Sequence, residues 1–173
     1  MNIEKADIRD VKINDLTLAD KWIMSKMNDL VKDVTDNMEK YELGIAADKI
    51  HIFLWEEFCD WYIEMVKPRL WNDEDETKGA ALWTLKTVLI NGLKLLHPYM
   101  PFITEEIFQE LYHNSESIHT TEIEPLNYNF DEEIKYGDEI AEIISQARGA
   151  KTNSNVSLKT PIKKLSVGAN KGL

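Results

Sequence analysis

The chain has 173 residues, 43% of them apolar, enough for one globular domain with a real core. Its net charge of −11 excludes a protein that coats nucleic acid by bulk attraction, because phosphate binding runs on Lys and Arg. No stretch approaches the roughly 20 apolar residues of a membrane span, and Met1-Asn2-Ile3-Glu4-Lys5 lacks the layout of a signal peptide. With one cysteine, Cys59, no internal disulfide can form, and its neighbours Phe58, Trp61 and Tyr62 predict a buried thiol in a reducing compartment. The reading is a cytoplasmic monomer with no membrane contact.

Charge is unevenly spread. From Glu105 to Glu142 the only Lys or Arg is Lys135, whereas after Glu142 come Arg148, Lys151, Lys159, Lys163, Lys164 and Lys171 with no carboxylate. Contact with a polyanion must therefore be local.

In chain order, residues 1–15 are polar and aperiodic and read as a connector. Thr17-x-x-Asp20 is a capping pair at the head of a first long helix, whose stripe is Trp22, Ile23, Met27, Leu30, Val31, Val34, Met38 and Tyr41, running to about Glu42. Gly44 marks a short interhelical turn. A second stripe follows with Ala46, Ala47, Ile50, Phe53, Leu54, Phe58, Trp61, Tyr62 and Met65, terminated by Lys67-Pro68. So short a link makes helices one and two antiparallel neighbours. After the acidic loop Asn72–Thr77, a third helix carries Leu82, Leu85, Val88, Leu89, Leu93 and Leu96.

The third helix meets a rigid elbow at His97-Pro98-Tyr99-Met100-Pro101. Pro98 pushes His97 away from the α region and ends one helix; Pro101 suits the first turn of the next, which ends near Tyr112. Leu96, Tyr99, Met100, Phe102, Ile103, Ile107 and Phe108 are too many for one helix to shield and are expected to pack on other helices.

Residues 113–136 read as a loop wrapping the bundle, and residues 137–173 as the start of a C-terminal subdomain. This subdomain holds a helix over about Asp138–Lys151 and weak strands at Val156-Ser157-Leu158 and Ile162–Val167, with Pro161 confining the second to an edge. The fold class is all-α: an antiparallel helical bundle over residues 16–112 with a small C-terminal helix and strand appendage. The uncapped Gly172-Leu173 and the polar start read as a fragment of something larger.

No catalytic constellation emerges. Glu110-Leu111-Tyr112-His113 and Glu116-Ser117-Ile118-His119 match the Glu-x-x-His spacing of di-iron bundles, but those sites need the pairs on facing helices. Glu105 and Glu106 point about 100° apart on a helix and complement its dipole. His97 has no nucleophile to serve and is read as bonding helix-end carbonyls; Cys59 has no activating base. There is no Gly-rich phosphate loop and no Cys-x-x-Cys. Neither a metal nor a cofactor is implied.

What remains is aromatic residues beside basic ones at one end of the bundle. Lys21-Trp22 opens helix one and Lys67-Pro68-Arg69-Leu70-Trp71 closes helix two. Aromatic faces stack on unpaired bases for roughly 1–3 kcal/mol each while cations hold the phosphates. In the other reading of the same spacing, Trp22 and Trp71 are core anchors and the cations snorkel over them.

Three blocks carry a resemblance: Leu18-Ala19-Asp20-Lys21-Trp22-Ile23-Met24-Ser25-Lys26, Phe53-Leu54-Trp55-Glu56-Glu57-Phe58-Cys59-Asp60-Trp61-Tyr62-Ile63-Glu64-Met65-Val66-Lys67-Pro68-Arg69-Leu70, and the elbow. In this order they resemble the anticodon-binding helical domain of class I aminoacyl-tRNA synthetases, and Glu57-Phe58-Cys59-Asp60-Trp61-Tyr62 resembles the valyl branch in particular. Ser145-Gln146-Ala147-Arg148 and Leu158-Lys159-Thr160-Pro161 are similar, more loosely, to the segment leading into the family's C-terminal part.

The resemblance implies a parent enzyme that activates valine with ATP and esterifies it to tRNA(Val). Its catalytic signatures, His-Ile-Gly-His and Lys-Met-Ser-Lys-Ser, do not occur here, and Met24-Ser25-Lys26 is a partial match only. The implied role of this segment is recognition of the tRNA(Val) anticodon loop, in company with the parent's remaining domains, without catalysis and without a cofactor of its own. The resemblance assigns Lys21 and Trp22 to the anticodon loop and places Trp71 where a related synthetase has a stacking tryptophan; Ser25, Lys67 and Arg69 complete the candidate RNA-binding set. Lys21 stands where many members carry arginine, keeping the charge but losing the planar fork. Asp60 is assigned a structural role as a buried carboxylate tying helices together. Two alternatives stand beside this reading: the same domain of an isoleucyl- or leucyl-tRNA synthetase, or a helical protein-interaction scaffold without RNA binding.

Overall fold

The computed structural model describes residues 11–112, 116–123 and 130–168, which divide between two compact units, Met1–Ile134 and Lys135–Leu173. Among the described residues there are helices and no strands.

Helix α1 (Leu18–Glu39) starts as expected, because the Asp20 Oδ2 accepts the Thr17 N–H at 2.9 Å and the Thr17 hydroxyl at 2.8 Å. Trp22, Ile23, Met27, Leu30 and Val34 form its buried stripe. It ends short of the predicted Glu42, and the reversal is not made by Gly44, which lies inside α2 (Leu43–Ile52). Instead Tyr41 takes a left-handed φ of 60°, its N–H reaching the Met38 carbonyl at 3.0 Å while the Glu42 N–H reaches Asn37 at 2.9 Å. This is the Schellman arrangement, in which glycine is the usual occupant.

The Tyr41 ring is 88% exposed, so no packing offsets the left-handed backbone, which costs an L-residue about 1–2 kcal/mol. Tyr41→Gly is expected to stabilise the chain by about 1 kcal/mol, a rise of roughly 2–4 °C in thermal midpoint. A lower midpoint would mean that the ring makes a stabilising contact.

From Ile52 the chain continues without a break through Phe53–Ile63, where hydrogen bonding is π-type, into α3 (Glu64–Trp71). The buried positions record the wider turn: Ile50, Phe53, Phe58, Tyr62, Val66 and Leu70 include one step of five, from Phe53 to Phe58. That widening overturns two expectations. Cys59 is exposed, its thiol pushed up by partial burial and by the Asp60 charge, and Asp60 is exposed as well, so it ties no helices together. Nor does Pro68 end the helix, which runs on to Trp71. The ring removes the donor that would reach the Glu64 carbonyl, and the last turn is held from outside through Arg69.

Helix α4 (Lys78–Leu96) buries Ala81, Leu85 and Val88 against α1 and the second helical rod. It stops before His97, and α5 (Pro101–Tyr112) starts on Pro101, as the two prolines require. His97 nevertheless keeps helical φ and ψ of −55° and −41°, contrary to expectation. Its ring, rather than bonding helix-end carbonyls, lies 2.8 Å from Thr104 Oγ1 through Nδ1 and 3.1 Å from His119 Nδ1 through Nε2. Because the Thr104 hydroxyl gives its proton to the Met100 carbonyl at 2.9 Å, His97 Nδ1–H is the donor to it.

The Tyr99 hydroxyl donates to the Leu43 carbonyl at 2.8 Å and joins the elbow to the α1–α2 turn. Phe108 packs with Ile90, Leu93 and Ile118 as expected. Met100, Ile103 and Ile107 remain exposed, however, and Phe102 is 91% exposed. Thr104 and Phe108 take the inner face of α5, leaving these four outside. Glu105 does more than complement a dipole. It accepts the Ser117 hydroxyl at 2.7 Å and the Ile118 N–H at 3.0 Å, and the Ser117 and Gln109 side chains hold its carboxyl below the usual range.

Helix α6 (Asp131–Asn153) begins earlier than the predicted Asp138 and ends in a second Schellman turn, with Asn155 at φ 53°. Val156–Leu158 and Ile162–Val167 form turns and irregular chain rather than strands. A ladder needs a partner, and the described residues supply none.

Candidate nucleic-acid interface

The start of α1, the end of α3 and the start of α4 meet around one guanidinium. Arg69 Nη1 and Nη2 donate to Asp20 Oδ1 and Oδ2 at 2.9 and 3.0 Å, a forked pair on a carboxylate with no exposed surface. Nη1 also reaches Thr17 Oγ1 at 3.0 Å, Nε reaches Thr77 Oγ1 at 2.8 Å, and Nη2 reaches the Thr77 carbonyl at 2.7 Å. These five bonds use every N–H that an arginine side chain has.

Asp20 is equally occupied, since Tyr62 Oη donates to its Oδ1 at 2.6 Å in addition to Thr17 and Arg69. Burial, then the Asp20 charge, holds the Tyr62 hydroxyl well above the usual tyrosine range, so it stays protonated and donating. Thr77 passes the network on, its N–H and hydroxyl reaching Asp75 Oδ1 at 2.8 and 2.6 Å at the head of α4. A loop, two helix starts and a helix end are thereby held in one register.

The residues proposed for RNA fare differently on this frame. The expected sharing of one end by Lys21-Trp22 and Lys67–Trp71 holds, because Arg69 bonds Thr17 and Asp20 there. Trp22, however, is only 2% exposed, a core anchor whose indole does not reach solvent, with Lys26 Nζ 5.9 Å from its ring centroid. Ser25 is buried too. Lys21 pairs with Glu133 Oε1 at 3.2 Å and sits 5.3 Å from the Phe130 ring centroid. Arg69 has no donor left, and Lys67 pairs with Glu64 on its own helix. Trp71 alone of the two tryptophans presents its ring, 74% exposed at the last residue of α3. Asp20, Tyr62 and Thr77, which organise this end, carried no RNA signal in the sequence; only the Thr17–Asp20 capping pattern pointed there.

The described residues form an all-α helical fold. A family model described as the anticodon-binding domain of tRNA ligase matches residues 20–166, and the chain belongs to this family. Among its relatives are valine–tRNA ligases. That of Clostridium perfringens is 62% identical over 102 residues, covering 59% of this chain and 12% of the relative. That of Oceanobacillus iheyensis is 38% identical over 165 residues, covering 95% and 18%, and that of Staphylococcus carnosus 40% over 167, covering 94% and 19%. The chain thus spans less than a fifth of the length of these curated relatives. No helix among the described residues is long and apolar enough to cross a membrane.

Proposed function

We propose that this domain reads the anticodon loop of tRNA(Val) within a longer valine–tRNA ligase, whose other domains attach valine to the tRNA with ATP. Monomeric action in the cytoplasm goes with this reading. The observation that carries it is Trp71: a large flat ring left open at the end of α3, beside Lys67, on a surface braced by Arg69. A splayed anticodon base stacked on that indole needs no rearrangement of the bundle. Lys67 and Lys21 supply charge for the adjacent phosphates once they exchange their carboxylate partners for RNA.

The test is binding of the chain, at stated salt, to tRNA with the valine anticodon and to the same tRNA with a changed central base; equal affinity for both removes the recognition role. Trp71→Ala is expected to weaken binding to the first by about 1–3 kcal/mol, roughly 5- to 150-fold. Its melting temperature should stay close to that of the parent chain, because the ring is exposed. A Trp71→Ala chain that binds as tightly as before would remove this residue from the interface.

A further inference from the structure

We infer that Arg69 is the positioning residue for anticodon reading: it does not touch RNA, and its guanidinium fixes where the Trp71 ring stands relative to the head of α1. The inference rests on Trp71 being the stacking face. Arg69 and Trp71 share the last turn of α3, downstream of Pro68, where the helix lacks one of its own donors. A turn so weakened would fray, and with it the indole.

Side-chain bonds take the place of the missing backbone one. Through Thr77, Arg69 closes the Asn72–Thr77 loop directly behind the tryptophan, and through Thr17 and Asp20 it sets the first turn of α1, where Lys21 stands. The carboxylate that receives it has no exposed surface, and Tyr62 Oη fixes that carboxylate from the side. A spread of bonds over three chain segments is more than an ion pair needs. It is what holding a ring and a cation in one frame requires.

The experiment compares Arg69→Lys, Thr77→Val, Thr77→Ser and Trp71→Ala with the unaltered 173-residue chain, each confirmed folded by circular dichroism at the assay temperature. Affinity is measured for tRNA with the valine anticodon and with a changed central base. Folded Arg69→Lys and Thr77→Val chains are expected to lose discrimination between the two tRNAs, whereas Thr77→Ser, which keeps the hydroxyl, retains it. Should Arg69→Lys fail to fold, the Thr77 pair decides. If Trp71→Ala loses discrimination while folded Arg69→Lys and Thr77→Val keep it, the positioning role is overturned and the interface stands. If Trp71→Ala itself binds both tRNAs like the unaltered chain, the interface reading fails first.

Discussion

Trp22→Ala is expected to cost about 3–5 kcal/mol of folding stability, the usual range for emptying a buried tryptophan site. The indole lies among fully buried neighbours, with Ile23 and Met24 beside it on α1 and Tyr62 in the same core cluster, all near zero exposure. These side chains sit on helices fixed by the Asp20 network and cannot collapse far into the space left behind. Urea denaturation gives the measure. Affinity for tRNA per folded molecule should barely change, since the ring presents nothing to solvent. A loss of stability below about 1 kcal/mol together with a sharp fall in tRNA affinity would return Trp22 to the interface.

Arg69→Met should have an effect of similar size for an electrostatic reason. Removing the cation leaves the Asp20 carboxylate with no exposed surface and without its counter-charge, a change that costs about 3–5 kcal/mol in comparable buried pairs. Tyr62 and Thr17 still donate to it, but a hydroxyl or amide dipole does not neutralise a full charge. In the double variant Asp20→Asn/Arg69→Met the charge is gone as well. Its loss is expected to fall short of the sum of the two single losses, because the residues form one network. Additive losses in denaturant would show that the pair is not coupled.

Trp22 and Arg69 also mark where sequence reading stops. The stripe through Trp22, Met27 and Val34 is legible because a period near 3.6 leaves a trace over a few residues, and so are the Thr17–Asp20 cap and Pro101 at a helix start, each set by neighbours within one turn. Periodicity says that a tryptophan faces inward or belongs to a site, not which, and Trp22 and Trp71 carry the same local signature of aromatic beside cation. Their difference lies in what other helices cover. The pairing of Arg69 with Asp20 spans 49 positions and left no pattern at all.

Cys59 and Asp60 differ from expectation for another reason: an even helical pitch turns them inward, whereas the wider turns across Phe53–Ile63 leave both exposed. Likewise Gly44 carries the stronger turn signal and Tyr41 makes the turn, since glycine takes a positive φ at no cost and tyrosine does so only when the rest of the turn insists. Val156–Leu158 has the composition of a strand, but composition cannot supply the neighbour a strand needs.

The carboxylates already seated on the cations of the braced end set the kind of recognition it can offer. Lys21, Lys67, Arg69 and Lys78 each have an acidic partner within the chain. A nucleic acid arriving there meets little uncompensated positive potential and displaces few counterions. On the proposed reading, what it gains comes from covering the Trp71 ring, so this end would favour selectivity between loops over long-range attraction.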